Sequence, residues 1–566
     1  MNYASGYAFL RIEAPEVCAP QGPRFSSWFL AACLVLSAAQ ASFASSPAFP
    51  LVSQALAAIE RGGVRLIYSS QLVPAGLRAR SVVHGSSVEE RLRSLLEPLR
   101  LEARPLPGGG YVIERAVRPA PQAPARPNAP MTEPLDRIVV QASRYQSSLL
   151  SGVSAARAEL ENSPETHNDA VRALQVIPGT AVAGYTARTH VRGSRDDEIL
   201  FRYDGVTLNQ PYHLKELQSL FSPVDPTAVD SVTSWTGIAP IQFGGQIGGV
   251  VDIQPRRITR TTADVQLSEQ GASGMAGTVF GGGRGSVFAD LRLQNEFAPV
   301  GWIETRVGAP TLNDLIVHAT WSFDSRTELA GGILAIDDRR KYFSTENAQN
   351  KAVNGGEFYA WLRLQHRFGD GVHGETLLSS EDSHESVSGS VNQPNVVFGP
   401  LDERSWHSMY TVREELRGTA ATNWYWHAGG QATFVDLLDQ SSGYAVFSAP
   451  FVPNLQPNAL AIADESVAAR ASTYSLYGSV RWRATRHLVA DFGVRRDRRK
   501  FHYWPADSQW NLRANLREQL TAATVLRVGW GQESQADLLD PMLVASVVEP
   551  RPVRRLSQTN FSLEHL

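Results

Sequence analysis

Two short segments of the chain combine tyrosines with basic residues, and residues of these types could bind a small ligand. The first segment contains Tyr185 and Arg188, and the second contains Tyr212, His213 and Lys215. Arginine and lysine form strong charge-assisted hydrogen bonds with anionic chelates or phosphates. Tyrosine rings can stack on a catecholate, a porphyrin or a sugar. The alternative is that all five are solvated loop residues, so their role depends on the elements that position them.

The sequence lacks the common motifs of enzyme active sites. It contains no G-x-S-x-G, H-E-x-x-H, C-x-x-C or Walker phosphate loop. Residues 281–286 superficially resemble a phosphate loop, but they lie between alternating strands and are interpreted as a hairpin turn. Both cysteines, Cys18 and Cys33, lie near the N-terminus, which excludes a disulfide framework or a cysteine metal site elsewhere. We therefore predict a protein that is not an enzyme and that has no cofactor and no metal site.

The length and the net charge of the chain further limit the classes of protein to which it could belong. A chain of 566 residues is too long for one ordinary domain, so several domains are expected. The formal net charge of −3 argues against nucleic acid as a partner, because proteins that bind nucleic acid are normally basic.

Residues 1–44 are interpreted as a secretory signal peptide. Arg24 precedes an apolar stretch at residues 28–39, which is followed by small residues suited to cleavage. A lipoprotein cleavage box at residues 30–33 is a weaker alternative, since apolar residues continue beyond Cys33. No later run reaches about 18 apolar residues, the minimum for a membrane-spanning helix. A membrane crossing would therefore have to use a β-barrel.

Residues 49–116 are predicted to form a small βαβ-type α/β domain. Apolar residues at helical spacing indicate a helix near residue 52, and a strand is predicted at residues 65–68. Ser87 and Glu90 form a capping box that should start a second helix. The pattern resembles the short N-terminal domain shared by secretins and TonB-linked signalling receptors, although a generic α/β module would also fit.

The next two segments differ sharply in composition. Residues 117–134 contain six prolines and are predicted to be an extended, semi-rigid linker. Residues 135–144 then form a β-prone segment that could add as a strand to the sheet edge of a partner. Its central residues are Asp136, Arg137, Ile138, Val139, Val140, Gln141, Ala142 and Ser143. On its own the segment could equally be the first strand of the following domain.

A series of glycine-containing motifs follows over residues 145–258. The series comprises Pro178, Gly179, Arg192, Gly193, Asp204, Gly205, Gly244, Gly245, Gly248 and Gly249. Glycines at such positions allow positive φ or a close approach of two backbones. A helix at 168–174, strands near 191–193, 200–203 and 229–235, and a tight turn at 204–205 are predicted around them.

The β-prone segment and this motif series resemble, in order and spacing, the TonB box and plug domain of TonB-dependent outer-membrane receptors. The resemblance implies that residues 135–144 are a TonB box, that residues 145–258 are an α/β plug, and that the protein lies in the outer membrane of a Gram-negative cell. It further implies that substrate binds above the plug, near Tyr185, Arg188, Tyr212, His213 and Lys215. Arg192, Glu198, Arg202 and Asp204 are interpreted instead as plug-stabilising ion pairs or contacts between plug and barrel.

From residue 259 to residue 566, apolar and polar residues alternate. Ala289, Leu291 and Leu293 fall on one face, and Asp290 and Arg292 fall on the other. This pattern is typical of an antiparallel membrane β-barrel with an apolar outer face and a polar lumen. A soluble sheet with one buried face would also alternate, but the signal peptide and the plug motifs favour the barrel.

The length of this last region is anomalous for the family. The resemblance implies about 22 strands, which need well over about 400 residues, whereas residues 259–566 supply roughly 14 candidate strands. The sequence therefore predicts an incomplete, C-terminally truncated barrel. An unclosed sheet would leave backbone amides unpaired in lipid, so poor membrane insertion is expected.

The resemblance implies active transport of a scarce nutrient, with a ferric siderophore as the default substrate. TonB would be the energy-transducing partner, a metal chelate or other small molecule the substrate, and outer-membrane lipid the surroundings. The N-terminal domain at 49–116 implies a second, periplasmic output through an anti-sigma regulator. The alternatives are a non-transporting fragment or pseudogene product, and a secretin-like or passive barrel protein.

Overall fold

The computed structural model describes most of the chain beyond residue 50. Its described residues are 51–61, 64, 66–67, 73, 77, 79, 87–99, 101–105, 110–115, 146–147, 152–161, 169–177, 179–182, 186–215, 221–268, 271–295, 309–344, 349–369, 371–393, 397–447, 459–501, 505–521, 523–536 and 553–565. Two compact units are formed, one by Phe29–Val139 and one that contains Val140–Leu566. The predicted signal peptide, the linker at 117–134 and residues 136–143 lie outside the described residues.

The N-terminal unit is a small α/β fold around an apolar core. Its elements are α1 (Val52–Glu60), β1 (Leu66–Ile67), α2 (Val88–Leu96), a 3-10 turn (Glu97–Leu99), β2 (Leu101–Pro105) and β3 (Tyr111–Arg115). The capping box is present: Ser87 Oγ accepts from Glu90 N, and Ser87 N donates to Glu90 Oε2, each at 3.2 Å. β3 lies centrally, parallel to β1 and antiparallel to β2. Among the described residues the order is therefore α-β-α-β-β. Both helices and the strand at 66–67 lie where the sequence analysis places them, and β2 is a strand that it did not predict.

The second unit begins with a mixed sheet, called here the inner sheet. The elements of this region are β4 (Gln146–Ser147), β5 (Gly152–Ala156), α3 (Arg157–Glu161), β6 (Thr180–Val182), β7 (Thr189–Val191), β8 (Ile199–Tyr203), β9 (Val206–Leu208), β10 (Val229–Trp235) and β11 (Gly249–Pro255), with 3-10 turns at Arg172–Val176, Asp196–Glu198 and Pro226–Ala228. The strand order is β4-β5-β10-β11-β8-β9, while β6 and β7 form a separate ribbon. The helix predicted at 168–174 is, in its described part, the 3-10 turn Arg172–Val176.

The remainder of the unit is one antiparallel sheet of fourteen strands, called the large sheet. Its strands are β12 (Thr262–Ser268), β13 (Gly271–Phe280), β14 (Gly285–Asn295), β15 (Ala309–Ser322), β16 (Thr327–Ser344), β17 (Gln349–Phe368), β18 (Val372–Gln393), β19 (Val397–Ala421), β20 (Trp424–Phe447), β21 (Ala459–Arg483), β22 (Leu488–Phe501), β23 (Asp507–Gln519), β24 (Thr524–Gln535) and β25 (Arg554–His565). The number agrees with the sequence-based count. Within the described residues, no pairing joins β12 to β25.

The two ends of the large sheet differ in the length of their connections. Turns of two to four residues at one end include 281–284 and 422–423, whereas segments such as 296–308 and 536–553 connect strands at the other. The turn at 281–284 joins β13 to β14, as the hairpin interpretation predicts. None of the helices in the described part of the chain is long and apolar enough to cross a membrane.

The large sheet contacts the inner sheet with its polar face. Asp290, Arg292 and Gln294 are buried on this face, while Leu293 points away and is exposed. The same division holds on later strands, where Ser475 is buried and Leu476 is 72% exposed. This is the predicted alternation, with charged residues inside and apolar residues outside.

Candidate functional site

The functional region suggested by the fold is the interface between the inner sheet and the large sheet. Of the five residues predicted to bind substrate, Tyr185 lies outside the described residues. Tyr212 and His213 are buried, whereas the side chains of Arg188 and Lys215 remain 38% and 20% exposed. Tyr212 Oη accepts a hydrogen bond from Thr189 N at 3.3 Å. Tyr212 and His213 therefore lie inside the interface.

His213 lies between two aspartates of the large sheet. Its Nδ1 lies 2.5 Å from Asp338 Oδ1 and its Nε2 lies 3.0 Å from Asp314 Oδ2. Arg292 Nη2 contacts the same Asp314 oxygen at 2.7 Å. Burial disfavours the charged imidazole, but the two carboxylates outweigh burial and raise the pKa of His213 to about 10. At neutral pH His213 is therefore charged, and it forms a charged contact between the segment after β9 and the large sheet.

Lys215 takes part in a second polar cluster. Its Nζ forms an ion pair with Glu357 and donates to the carbonyl oxygen of Asn209 at 2.8 Å. Tyr359 Oη donates to Glu357 at 2.8 Å and lies 3.2 Å from Glu381. This cluster fixes the segment after β9 against β17 and β18.

The Asp204-Gly205 turn makes several polar contacts with the large sheet. Asp204 has a φ of 51° and Gly205 a φ of 84°, the left-handed conformation that a tight hairpin turn requires. The Asp204 carboxylate contacts Arg363 Nη1 at 2.8 Å and His318 Nε2 at 3.0 Å, and it accepts from Trp361 Nε1 at 2.8 Å. Burial alone would raise the pKa of Asp204, but Arg363 and His318 lower it below its usual value.

Arg202, which lies on β8, belongs to a second charged region. Its guanidinium lies 4.7 Å from the ring centroid of Phe243, a cation–π contact. Burial and the nearby Arg413 lower the pKa of Arg202 to about 10. Arg413 donates to the carbonyl oxygen of Gly205 at 2.9 Å and forms an ion pair with Glu415 at 3.3 Å.

Two further arginines of the large sheet hold the glycine-rich segment of the inner domain. Arg495 Nη1 donates to Gln242 O at 3.1 Å, and Arg513 Nη2 donates to Phe243 O at 2.6 Å. A Cβ on Gly244 would overlap the Arg495 side chain in its present position, so glycine permits this close approach. The predicted close approach at Gly244 is therefore explained by an arginine on β22.

The remaining motif residues lie along the same interface. Arg192 donates to Asn560 Oδ1 at 2.8 Å, and Glu198 accepts from Arg554 Nη1 at 2.7 Å. Gly179, Gly193, Gly205 and Gly245 have positive φ, whereas Gly244, Gly248 and Gly249 lie where a Cβ would crowd a neighbour. Pro178 lies outside the described residues. Arg192, Glu198 and Asp204 thus contact the large sheet, as interpreted from the sequence.

Sequence reasoning missed the residues of the large sheet that complete these contacts. The sequence placed Arg363 on the polar face of its strand but predicted no contact for Arg363, Arg413, Arg495 or Arg513. The available signal was a charge at the polar position of an alternating strand, because such a charge must face the enclosed side. Within the described residues, no group of three or more histidine, cysteine or acidic side chains is arranged to hold a metal ion.

The outward face of the large sheet carries aromatic side chains at two levels. Trp424 and Trp482 stack near the short turns, with ring centroids 5.6 Å apart. Phe434 and Tyr474, whose centroids lie 5.9 Å apart, occupy a second level on the same two strands. At about 3.3 Å per residue and a tilt near 40°, the two levels on β20 are roughly 25 Å apart. An apolar band of about this height crosses a membrane in outer-membrane barrels.

Comparisons with known proteins establish similarity at the level of fold. No protein-family profile matches the sequence, and no curated protein is significantly similar to it. The ferripyoverdine receptor of the outer membrane of Pseudomonas aeruginosa is structurally similar, with a TM-score of 0.57 at 13% identity over 91% of this chain and 73% of that one. The ferric yersiniabactin uptake receptor FyuA from Yersinia pestis gives a TM-score of 0.53 at 13% identity over 75% and 71%.

The ferric citrate transporter FecA is similar with a TM-score of 0.50 at 12% identity, over 69% of this chain. The present chain covers 64% of FecA, which is less than two thirds of its length. At such low identity these similarities show a shared fold. The large antiparallel sheet thus matches the folds of TonB-dependent siderophore receptors, which are transport proteins and not enzymes.

Proposed function

We propose that this protein is a TonB-dependent receptor of the outer membrane that binds a scarce nutrient and imports it with energy supplied through TonB. The observation that carries the proposal is an inner sheet in contact with the charged face of a large sheet whose other face is apolar. A sheet with an apolar outer face is suited to contact with membrane lipid. The two aromatic levels and the structural similarity to siderophore receptors support the same location.

In this proposal the inner sheet, with the rest of residues 145–258, acts as the plug. Many of its contacts with the large sheet are ion pairs and arginine–carbonyl hydrogen bonds. Buried charges that separate can be rehydrated, so the gain from water offsets much of the lost Coulomb attraction. An interface of this kind holds the plug in place and still permits its remodelling when residues 136–143 are pulled.

For the substrate we propose a ferric siderophore, since the similar receptors are described as binding ferripyoverdine or taking up ferric yersiniabactin. The substrate would approach from the end of the large sheet where long segments such as 296–308 and 536–553 connect the strands. Of the predicted contact residues, Arg188 and Lys215 are the more exposed and are proposed to meet the ligand. Tyr212 and His213 are proposed to position their segment, and Tyr185 stays a predicted contact.

For the N-terminal unit we propose a periplasmic signalling role with an anti-sigma regulator as partner. Its α/β fold supports this role. The match to the ferripyoverdine receptor covers more of the chain than residues 140–566 can supply, so it extends into this unit. Deleting residues 49–116 should abolish substrate-dependent gene induction and leave uptake intact. Unchanged induction would rule out the signalling role.

The transport proposal is tested by deleting residues 136–143. Cells expressing the variant should still bind an iron-loaded siderophore but should lose energy-dependent uptake. An eight-residue deletion at 121–128, within the proline-rich linker, is the matched control and should retain uptake. Continued uptake without residues 136–143, or equal loss in both deletions, would contradict a TonB box at this position.

A further inference from the structure

A threonine hydroxyl lies between two buried carboxyl groups where the inner domain meets β14. Thr227 lies in the 3-10 turn Pro226–Ala228, and Asp225 immediately precedes this turn. Thr227 Oγ1 lies 2.7 Å from Asp225 Oδ1 and 2.7 Å from Asp290 Oδ2, which belongs to β14. None of the three residues is more than 4% exposed. They form a hydrogen-bonded connection between the inner domain and the large sheet, called here the carboxyl bridge.

The carboxyl bridge has too few hydrogen atoms if both of its carboxyl groups are ionised. A threonine hydroxyl carries one hydrogen, which it can donate to one acceptor. Both contacts of Thr227 Oγ1, at 2.7 Å, are within the range of O–H···O hydrogen bonds, so the second contact needs a hydrogen from a carboxyl group. Asp225 Oδ1 also accepts from Thr227 N at 2.8 Å, as a carboxylate would. Asp290 therefore carries the hydrogen and donates it to Thr227 Oγ1, while Thr227 donates to Asp225.

Within the described residues, no basic side chain forms an ion pair with Asp225 or Asp290. Arg292 lies on the same strand as Asp290, but it binds Asp314 of β15 through Nε at 2.9 Å and through Nη2 at 2.7 Å. Two ionised aspartates at the carboxyl bridge would therefore leave a buried negative charge without a cation, which is costly.

The other elements packed against the carboxyl bridge also direct their cations elsewhere. Arg256 Nη1 donates to Thr227 O at 3.1 Å and forms an ion pair with Asp264 at 2.8 Å. The other titratable side chains of this region are Asp169, Tyr203, Asp314 and His213. His213 is bound between Asp314 and Asp338. The acidic neighbours favour retention of a proton, since like charges in one site disfavour a second ionisation.

A similar arrangement elsewhere in the interface shows what a basic partner changes. Tyr359 Oη lies 2.8 Å from Glu357 and 3.2 Å from Glu381, and the longer contact exceeds the usual O–H···O limit of about 3.0 Å. Lys215 pairs with Glu357, and His407 Nε2 lies 3.1 Å from Glu381. Each of these carboxyl groups has a basic partner, so neither needs a proton of its own. The carboxyl bridge differs in having neither partner.

We propose that Asp225, Thr227 and Asp290 form a proton-binding site that holds the inner domain against β14. The two carboxyl groups share one proton, which belongs to the pair. When the turn 226–228 leaves β14, the carboxyl groups separate and each is hydrated. Asp290 then transfers its proton to water and becomes a carboxylate. Since the proton binds only while the two parts are in contact, it favours that state.

This site goes beyond the proposed transport function, because it links the position of the inner domain to the uptake and release of a proton. Its test needs neither TonB nor a siderophore, so its outcome is independent of the uptake experiment.

The test uses the full chain, folded in neutral detergent at neutral pH, and the infrared carbonyl band of protonated carboxyl groups. Subtracting the spectrum of Asp290→Asn from that of the wild type should reveal one such band, which the variant has lost. Asp225→Asn should lose the same band, because Asp290 then faces no second carboxylate and can accept the hydrogen of Thr227. The matched control is Asp497→Asn, which removes an equally buried aspartate that is paired with Arg495 and accepts from Ser475. This control should keep the band.

Persistence of the band in Asp290→Asn would overturn the proposal, because the proton would then lie elsewhere. Persistence in Asp225→Asn would also overturn it, since burial alone would keep Asp290 neutral and no proton would be shared. Loss of the band in Asp497→Asn would overturn it as well. Heat-modifiable mobility reports whether each variant is folded. If an asparagine variant fails to fold, Thr227→Val, which keeps both carboxyl groups, should shift the frequency of the band, and an unshifted band would contradict the carboxyl bridge.

Discussion

The inner sheet meets the large sheet differently on its two sides. On one side, called the apolar side, Phe201 and Tyr203 share a continuous apolar core with strands β13–β18, including Phe288 and Trp361. On the other, called the arginine side, the apolar cluster around Trp235 and Phe243 contains only residues of the inner domain. There, Arg413, Arg495 and Arg513 reach across to backbone carbonyls.

The difference suggests where the interface opens. Separating the apolar side exposes buried hydrocarbon to water at about 25 cal/mol per Å². Separating the arginine side exposes groups that water solvates well, so its net cost is smaller. We therefore expect pulling to open a path along β19–β24 while the apolar side stays closed.

The largest expected effect comes from an engineered disulfide that holds the arginine side closed. A Cβ built on Gly493 lies 3.0 Å from Ile241 Cβ. A disulfide needs a Cβ–Cβ distance of about 3.5 Å or more, so Ile241→Cys/Gly493→Cys should form one once the two backbones move apart by roughly 0.5 Å. Under oxidising conditions uptake should fall to background, and a reductant should restore it. Both natural cysteines lie before residue 34, within the predicted signal peptide, and would be absent from the processed protein.

The control tether is Ile258→Cys/Gly277→Cys, which lies where the chain passes from the inner sheet into the large sheet. A Cβ on Gly277 lies 3.0 Å from Ile258 Cγ1. This tether does not cross the arginine side and should leave uptake unchanged. Normal uptake with an oxidised Ile241–Gly493 tether would show that the path opens elsewhere.

A second effect concerns stability on the apolar side. Asp204→Asn keeps the shape and the left-handed turn, since asparagine tolerates positive φ. It removes the charge that neutralises Arg363, and an uncompensated buried charge costs about 3 kcal/mol. Chemical denaturation in detergent should show this loss. Asp402→Asn, which breaks an exposed pair with Arg404, should change stability by less than about 1 kcal/mol.

Much of the large sheet and of the N-terminal unit could be predicted from local pattern. Alternation placed Asp290 and Arg292 on the enclosed face, and Ser87 with Glu90 located the start of α2. The helix predicted at 168–174 was wrong in type, because periodicity over so few residues does not distinguish an α-helix from a 3-10 turn.

The contacts of the interface could not be predicted in this way. Asp204 and Trp361 are 157 positions apart, and their meeting depends on the register between two separate sheets. The pairing of Lys215 with Glu357 and the burial of His213 depend on the same register. Residue type suggested ligand binding for both, whereas geometry shows that their first partners belong to the protein.

A pH dependence is expected at His213, and its size over one pH unit is the smallest of the three effects. Its pKa is raised from 6.5 to about 10 on folding, so its contribution to stability is complete below pH 6.5 and is lost as the pH rises toward 10. Stability should fall by up to about 1.4 kcal/mol per pH unit between pH 7 and pH 9. His213→Gln should flatten this slope when melting is followed across that range. An unchanged slope in the variant would assign the dependence to another group.

The strands of the large sheet differ greatly in length, and the type of outward residue changes along the longest ones. β19 and β21 each have 25 residues, whereas β22 has 14. Below Tyr474 the outward residues of β21 include Leu476, Val480 and Trp482, and above it they include Ser472 and Arg470. Every second residue of β21 thus changes from apolar to polar at Tyr474. If the protein lies in the membrane as proposed, this change marks the level at which the outward face of the strand leaves the lipid.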